Sequence, residues 1–190
     1  MKKIFSLILL LFIFKIQVAE AQYIDHYPEI TYAPNTNTPI YGWDVMYLNP
    51  KKGSIGGWSF VYADKKSAEI VVGPSIMKKN FRFGIGGGYE FISNSPVVAT
   101  FVNYFNDTRE VYVYIERGRT WYWYQILLNQ NFGHKNQWIV GLYSQTTIGT
   151  GVKFGYKFNK KFYISTGLGY AENHLTPVLS LGAILEKNKQ

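Results

Sequence analysis

The 190-residue chain contains no cysteine, which excludes disulfide bonds and an anchor through an acylated cysteine. Histidine is scarce. None of its three histidines, His26, His134 and His174, has a second ligand at a metal-binding spacing such as H-x-x-x-H. Beyond residue 21 no stretch reaches the roughly 18–20 apolar residues that a transmembrane helix needs. We therefore expect no cofactor, no metal site and no helical membrane span.

The first 21 residues have the layout of a secretory signal peptide. Lys2 and Lys3 precede an apolar run over 4–16, and Ala19-Glu20-Ala21 is a small-x-small cleavage pattern. An apolar run of this length is too short for a comfortable transmembrane helix. The sequence thus predicts an exported protein whose signal peptide, residues 1–21, is removed.

The composition of the remainder favours β-structure. Aromatic residues make up 18% of the chain, and 18 glycines accompany them. The formal net charge is +8. An exported protein rarely meets nucleic acid, so the basic surplus points to anionic lipid head groups of the outer membrane as partners. A protein partner cannot be named from the sequence.

Two regions follow the predicted signal peptide. Residues 22–39 are rich in Pro, Asn and Thr and lack periodicity, which predicts a loose N-terminal segment. Residues 40–190 read as one β-barrel domain of strands and short polar turns.

Several segments of the barrel domain alternate between bulky apolar and small residues. In 81–92 the apolar residues Phe81, Phe83 and Ile85 share one face, and Gly84 and Gly86 lie on the other. The ranges 151–158, 161–171 and 177–185 alternate in the same way. A soluble barrel would carry long charged side chains on its outer face. Small residues suit a narrow lumen, and the apolar face then meets lipid.

Membrane-spanning strands require a closed barrel, because open sheet edges are not stable in hydrocarbon. Eleven candidate strands can be drawn between residues 41 and 186. Single-chain bacterial barrels have even strand numbers, so we predict an all-β, antiparallel up-and-down barrel of about ten strands, with eight and twelve as alternatives. The glycine run 84–88 is expected to mark close packing or bending of the sheet, since no helix follows it.

Polar residues that share strand faces are candidates for the lumen. They are Arg82, Glu90, Glu110, Tyr112, Tyr114, Glu116, Lys153 and Lys157. If these faces point inward, opposed charges can pair and close the lumen, because buried charges are tolerated only when paired. We therefore expect a closed barrel and not an open pore.

Other aromatic residues are predicted to lie at the membrane–water interface or in a stripe facing lipid. These candidates are Trp121, Tyr122, Trp123, Tyr124 and Trp138. Lysine pairs in several turns, such as Lys65-Lys66 and Lys78-Lys79, fit the same interface, where ammonium groups meet phosphate.

The segment 154–163, Phe-Gly-Tyr-Lys-Phe-Asn-Lys-Lys-Phe-Tyr, together with the aromatic-dense meander around it, resembles small outer-membrane β-barrel proteins of Gram-negative bacteria, particularly of the Bacteroidetes type. The resemblance is one of pattern and covers roughly residues 40–186. It implies an outer-membrane location. Such barrels include structural proteins, small pores and a few lipid-modifying enzymes.

Three functions remain open from the sequence. We favour a non-enzymatic outer-membrane barrel with a structural or interaction role. The first alternative is a soluble periplasmic barrel that binds an apolar ligand among inward aromatic residues. The second is a lipid-modifying enzyme that would use His134 or His174 with a serine and Glu172, although no spacing singles these residues out.

Overall fold

The computed structural model describes residues 23–36, 39–49, 55–119, 121–159, 161–171 and 174–188. The predicted signal peptide, residues 1–21, lies outside these ranges.

The described chain is all-β and closes into an antiparallel barrel of twelve strands. Each strand pairs with its neighbour in sequence, and β12 pairs with β1 to close the ring. The strands are β1 Tyr23–Tyr32, β2 Ile40–Asn49, β3 Ile55–Asp64, β4 Ala68–Lys78, β5 Phe81–Glu90, β6 Ser95–Phe105, β7 Arg109–Arg117, β8 Tyr122–Phe132, β9 Trp138–Gln145, β10 Gly149–Lys157, β11 Phe162–Ala171 and β12 His174–Ala183. We call the barrel end that holds Tyr23 the terminus end and the opposite end the far end.

A short strand, β13 (Leu185–Asn188), continues β12 along β1. The pairs Glu29↔Gly182 and His26↔Leu185 belong to the same register along β1. β12 and β13 therefore count as one strand of the barrel. The ladder is interrupted between them, opposite Pro28, and proline has no backbone N–H to donate. The barrel therefore has twelve strands and not thirteen.

Twelve strands were the upper alternative from the sequence, and the favoured number of about ten was too low. All eleven candidate strands are present. The twelfth is β1, within the segment 22–39 that the sequence predicted to be loose. Alternation is hidden in β1 because its inward residues include Asp25 and Tyr27 while its outward residues include His26 and Pro28.

Short polar turns connect the strands as predicted, and an aspartate or asparagine side chain caps three of them. The carboxylate of Asp64 accepts from the backbone N–H of Ser67, 2.7 Å away. The amides of Asn106 and Asn159 accept in the same way from the turns that they begin. These asparagine and aspartate turns explain why adjacent strands follow one another with few intervening residues.

The outer wall is apolar around the ring. Val98, Leu142 and Leu181 are more than half exposed, as are many other outward aliphatic side chains. Aromatic residues lie nearer the strand ends: Phe81, Tyr104, Trp138, Tyr156 and Phe162 toward the terminus end, and Tyr32, Tyr89, Tyr122 and Tyr170 toward the far end. An aliphatic band between two aromatic belts is the outer surface of a transmembrane barrel.

No helix among the described residues is long and apolar enough to cross a membrane.

Candidate functional site: the barrel lumen

A cluster of aromatic rings joins opposite walls across the lumen. Trp58 and Phe60 on β3 reach the β6–β7 wall. The ring centroid of Trp58 lies 4.8 Å from that of Phe101, and Phe60 lies 4.4 Å from Tyr114. Trp123 on β8 completes the contact, with its ring 5.9 Å from Phe60. We call Trp58, Phe60, Phe101, Tyr114 and Trp123 the aromatic plug.

Glycines on β5 make room for the plug. A Cβ atom at Gly84 would lie 2.7 Å from Trp58 Nε1, and one at Gly86 would lie 2.9 Å from Trp58 Cζ2. The indole N–H donates to the backbone carbonyl of Ile85, 3.2 Å away. The small face predicted for β5 thus points inward, but the tryptophan of β3 fills the space it leaves.

Arg82 lies on the terminus-end side of the plug with a fully buried side chain. Its guanidinium forms an ion pair with Asp25 of β1, across the lumen. The same group stacks on the ring of Tyr47, 4.0 Å from the centroid, and lies 5.0 Å from the centroid of Phe105. This cluster ties β1 and β2 to β5 and β6 by a charge pair and a cation–π contact.

Carboxyl groups gather on the far-end side of the plug. Glu116 accepts a hydrogen bond from the Tyr114 hydroxyl, and Glu69 is a second buried carboxyl group near it. Glu90 has a different structural role. Its carboxylate accepts hydrogen bonds from the backbone N–H groups of Ile92 and Ser93 in the β5–β6 turn. It therefore fixes the turn in place.

A partly enclosed cavity lies beside the plug, toward the terminus end. The centres of water-sized molecules have about 80 Å³ of room in it, within about 670 Å³ of empty space that includes open solvent. Its walls are β1, β2 and β6 to β11. Glu29 and Glu110 line it, and so do Lys153 and Lys157. Gly141 and Gly182 lie on the strands paired with these charged residues, and neighbouring side chains fill the space beside them. A Cβ at Gly141 would lie 2.5 Å from Asn129 Oδ1, and one at Gly182 would lie 2.3 Å from Tyr163 Cζ.

All eight lumen candidates from the sequence lie on the inner wall, and four of them have partners other than one another. Arg82 pairs with Asp25, which the sequence placed in the loose segment. Glu90, Glu110 and Glu116 accept from neutral donors. Alternation predicts which face of a strand points inward, but it does not predict which side chains meet across the lumen.

The aromatic residues predicted to lie at the membrane–water interface are found on both the outer and the inner face of the barrel wall. Tyr122 and Trp138 are exposed on the outer wall, at 67% and 51% of their surface. Tyr124 also lies outside and contacts the Ser144 hydroxyl at 3.4 Å. Trp121 and Trp123 instead pack against the inner aromatic cluster, which corrects their assignment. Successive residues of a strand face opposite sides, so a run of four aromatics cannot form a single stripe.

The histidines proposed for a lipid-modifying enzyme do not form one site. His134 lies in an exposed 3₁₀ turn at the terminus end, and His174 begins β12 at the far end. Glu172 falls outside the described residues. No group of three or more potential metal ligands occurs in the described part of the chain.

His26, by contrast, has an acidic partner that the sequence did not reveal. Its Nε2 lies 2.6 Å from Asp44 Oδ2 on the outer wall, beside the apolar residues Ile30 and Val61. Asp44 belongs to β2 and His26 to β1, 18 residues apart, so only the strand register brings them together.

Comparison with known proteins shows the fold. No protein-family model matches the chain, and no curated protein matches it in sequence. Among solved structures it is similar to "KdgM porin in complex with disordered oligogalacturonate", with a TM-score of 0.52 and 15% identity over 85% of this chain and 98% of that one. It is also similar to "KdgM porin", with a TM-score of 0.50 and 16% identity over 88% and 99% of the two chains. Both neighbours are porins, so the chain has the fold of an outer-membrane porin barrel.

Proposed function

We propose that this protein is a non-enzymatic outer-membrane barrel whose lumen is closed by its own side chains and which has a structural or interaction role. The observation that carries the proposal is the aromatic plug. Phe60 and Tyr114 come from separate walls of the barrel, and their ring centroids are 4.4 Å apart. Rings in contact leave no path for a solute between them.

The outer wall supports the membrane location. Exposed apolar surface of this extent on every strand would be unfavourable in water and is favourable against lipid chains. Four exposed lysines lie in turns or at a strand end, where their ammonium groups can meet the phosphates of anionic lipids: Lys65, Lys66, Lys78 and Lys79. We infer the Bacteroidetes-type relationship from the 154–163 pattern alone, and export through a cleaved signal peptide from residues 1–21 alone.

Inward packing supports a closed lumen. Trp58, Phe60, Phe101 and Tyr114 are each at most 1% exposed, as in a protein core. Aromatic pairs at these distances stabilise a protein by about 0.5–1.5 kcal/mol each beyond the burial of their surface. Residues packed in this way form a fixed plug and not a mobile constriction.

Solute transport is the second candidate, favoured by the porin fold and by the cavity beside the plug. One of the similar structures is a porin in complex with an oligogalacturonate, a saccharide that carries carboxylates. The cavity described here favours a different solute, because Glu29 and Glu110 line it together with Lys153 and Lys157. A wall that carries charges of both signs does not favour a polyanion.

Single-channel recording tests the proposal. The purified full chain, inserted in planar bilayers, should give no large and steady conductance. The variant Trp58→Ala/Phe60→Ala removes two rings of the plug and should open a measurable channel. Val98→Ala/Val102→Ala is the matched control on the outer wall and should stay closed.

Large, steady conductance of the unmodified protein would overturn the closed lumen and favour solute transport. A closed double variant would mean that the aromatic plug is not what blocks the lumen. Folding of each variant is checked beforehand by the heat-dependent shift in gel mobility of a closed barrel.

A further inference from the structure

The cavity beside the plug holds charges of both signs at separate places on its wall. Glu110, Asn129, Gly141 and Lys153 are successive partners across β7, β8, β9 and β10. Neighbouring strands are about 4.8 Å apart, so roughly 14 Å of wall separates the backbones of Glu110 and Lys153. The wall between them carries no second charged side chain on that row.

The charged side chains of Glu110 and Lys153 contact neutral groups and not counterions. Glu110 accepts from the side-chain amide of Asn129, 3.1 Å away. Lys153 Nζ lies over the ring of Tyr163, 5.9 Å from its centroid. Glu29 is more fully occupied, because it accepts from the hydroxyls of Tyr163 and Thr31. Among the described residues neither Glu110 nor Lys153 forms an ion pair within 4 Å.

Unpartnered polar atoms lie in the same cavity. The indole Nε1 of Trp43, the amide Oδ1 of Asn103 and the hydroxyl of Tyr112 are buried without a hydrogen-bond partner. The three side chains are 8%, 3% and 4% exposed, and all three line the cavity. A buried polar atom without a partner costs about 1–3 kcal/mol, so three of them in one cavity indicate a ligand that supplies donors and acceptors.

From these observations we propose that the cavity binds a short zwitterionic peptide. The ammonium end of the peptide pairs with Glu110, and its carboxylate end pairs with Lys153. Backbone amide groups of the peptide supply partners for Trp43, Asn103 and Tyr112. An extended peptide spans at most about 3.3–3.6 Å per residue, so two to four residues bridge the gap that remains between the two side chains.

Both charges are part of the proposal, and they separate it from other polar ligands. A neutral saccharide would satisfy the unpartnered atoms but would leave Glu110 and Lys153 without counterions. A single anion or cation would satisfy one charge and be repelled by the other. Only a ligand with separated charges of both signs matches the whole wall.

Calorimetric titration of the detergent-purified full chain tests the inference. The probes are tri-alanine, its N-acetyl form, its C-terminal amide and maltotriose. Tri-alanine should bind, each capped form should bind about tenfold more weakly, and maltotriose should not bind. Equal binding of the capped forms, binding of maltotriose in preference, or no binding of tri-alanine at millimolar concentration would each overturn the proposal.

Two variants assign the ends of the peptide. Lys153→Gln should bind tri-alanine and its C-terminal amide equally, while Glu110→Gln should bind tri-alanine and its N-acetyl form equally. Lys66→Gln, in an exposed turn at the far end, is the control and should bind as the unmodified protein does. If each variant weakened all the peptides by the same factor, the assignment of the two ends would be wrong.

The inference concerns the cavity and does not require the plug to be closed. Conductance reports whether the aromatic plug blocks the lumen, and calorimetry reports whether the cavity binds the peptide. Failure of one proposal is therefore distinguishable from failure of the other.

Discussion

Trp58 occupies the space that Gly84 leaves on the neighbouring wall. A Cβ at Gly84 would lie 2.7 Å from the indole nitrogen of Trp58 and 2.3 Å from Cε1 of Phe101. The glycine and the tryptophan are therefore one packing unit, although a whole strand, β4, separates β3 from β5. The aromatic plug depends on this absence of a side chain.

Gly84→Ala should destabilise the barrel by about 1–3 kcal/mol, because an added methyl group forces two packed rings to move. Gly87→Ala is the matched control on the same strand, since the nearest atom to its Cβ would be 3.9 Å away. Urea unfolding in detergent, followed by intrinsic fluorescence, measures both. Equal stability of the two variants would contradict the packing of Trp58 against Gly84.

The same pair shows how far the sequence could predict the fold. In β5 phenylalanine and glycine alternate, so the faces of Phe83 and Gly84 could be assigned from the sequence. In β3 the inward residues Trp58 and Phe60 and the outward residue Val61 are all apolar, so the alternation carries no information about direction. The aromatic residues are on both faces of this barrel. Tyr112 and Tyr114 were predicted to face the lumen, whereas the inward direction of Trp58, Phe60 and Phe101 was not predicted.

The candidate site was predictable only in part for a related reason. The alternation of residue types in β5 and β7 predicted that Arg82 and Glu110 point into the lumen, and both side chains lie on the inner wall in the structure. Their partners, Asp25 and Asn129, depend on strand register and on which walls approach each other. Neither property follows from a periodicity of two, and β1, which supplies Asp25, has no clear periodicity.

The ion pair of Arg82 with Asp25 should show strong coupling. Asp25→Asn leaves a buried guanidinium without its counterion and should cost about 3–5 kcal/mol of unfolding free energy. Arg82→Met removes the charge and keeps an unbranched side chain beside Tyr47. The double variant should be destabilised by less than the sum of the two single variants. Additive losses in urea unfolding would show that the two groups do not interact.

The outward position of Trp138 predicts its contact with lipid. In vesicles of lipids brominated near the head-group end of the chain, part of the tryptophan emission should be quenched. Trp138→Phe should lose most of this quenching, because Trp43, Trp58, Trp121 and Trp123 point inward. Trp58→Phe is the control and should keep the quenching.

Quenching that survives Trp138→Phe would mean that another tryptophan faces the lipid. An absence of quenching in the unmodified protein would favour a soluble barrel.

The pair of His26 and Asp44 should be tolerated on the lipid-facing wall only as a pair. His26→Leu leaves the Asp44 carboxylate alone beside Ile30 and Val61, and we expect a loss of about 1–3 kcal/mol. Asp44→Leu should cost less, because an imidazole can lose its proton and become neutral. The double variant His26→Leu/Asp44→Leu should be at least as stable as the unmodified protein, since apolar residues then replace both polar groups.

Urea unfolding in lipid vesicles measures the stability of all four proteins. A His26→Leu variant of unchanged stability would show that water, and not hydrocarbon, surrounds Asp44, and the lipid-facing band would then end short of the middle of β2.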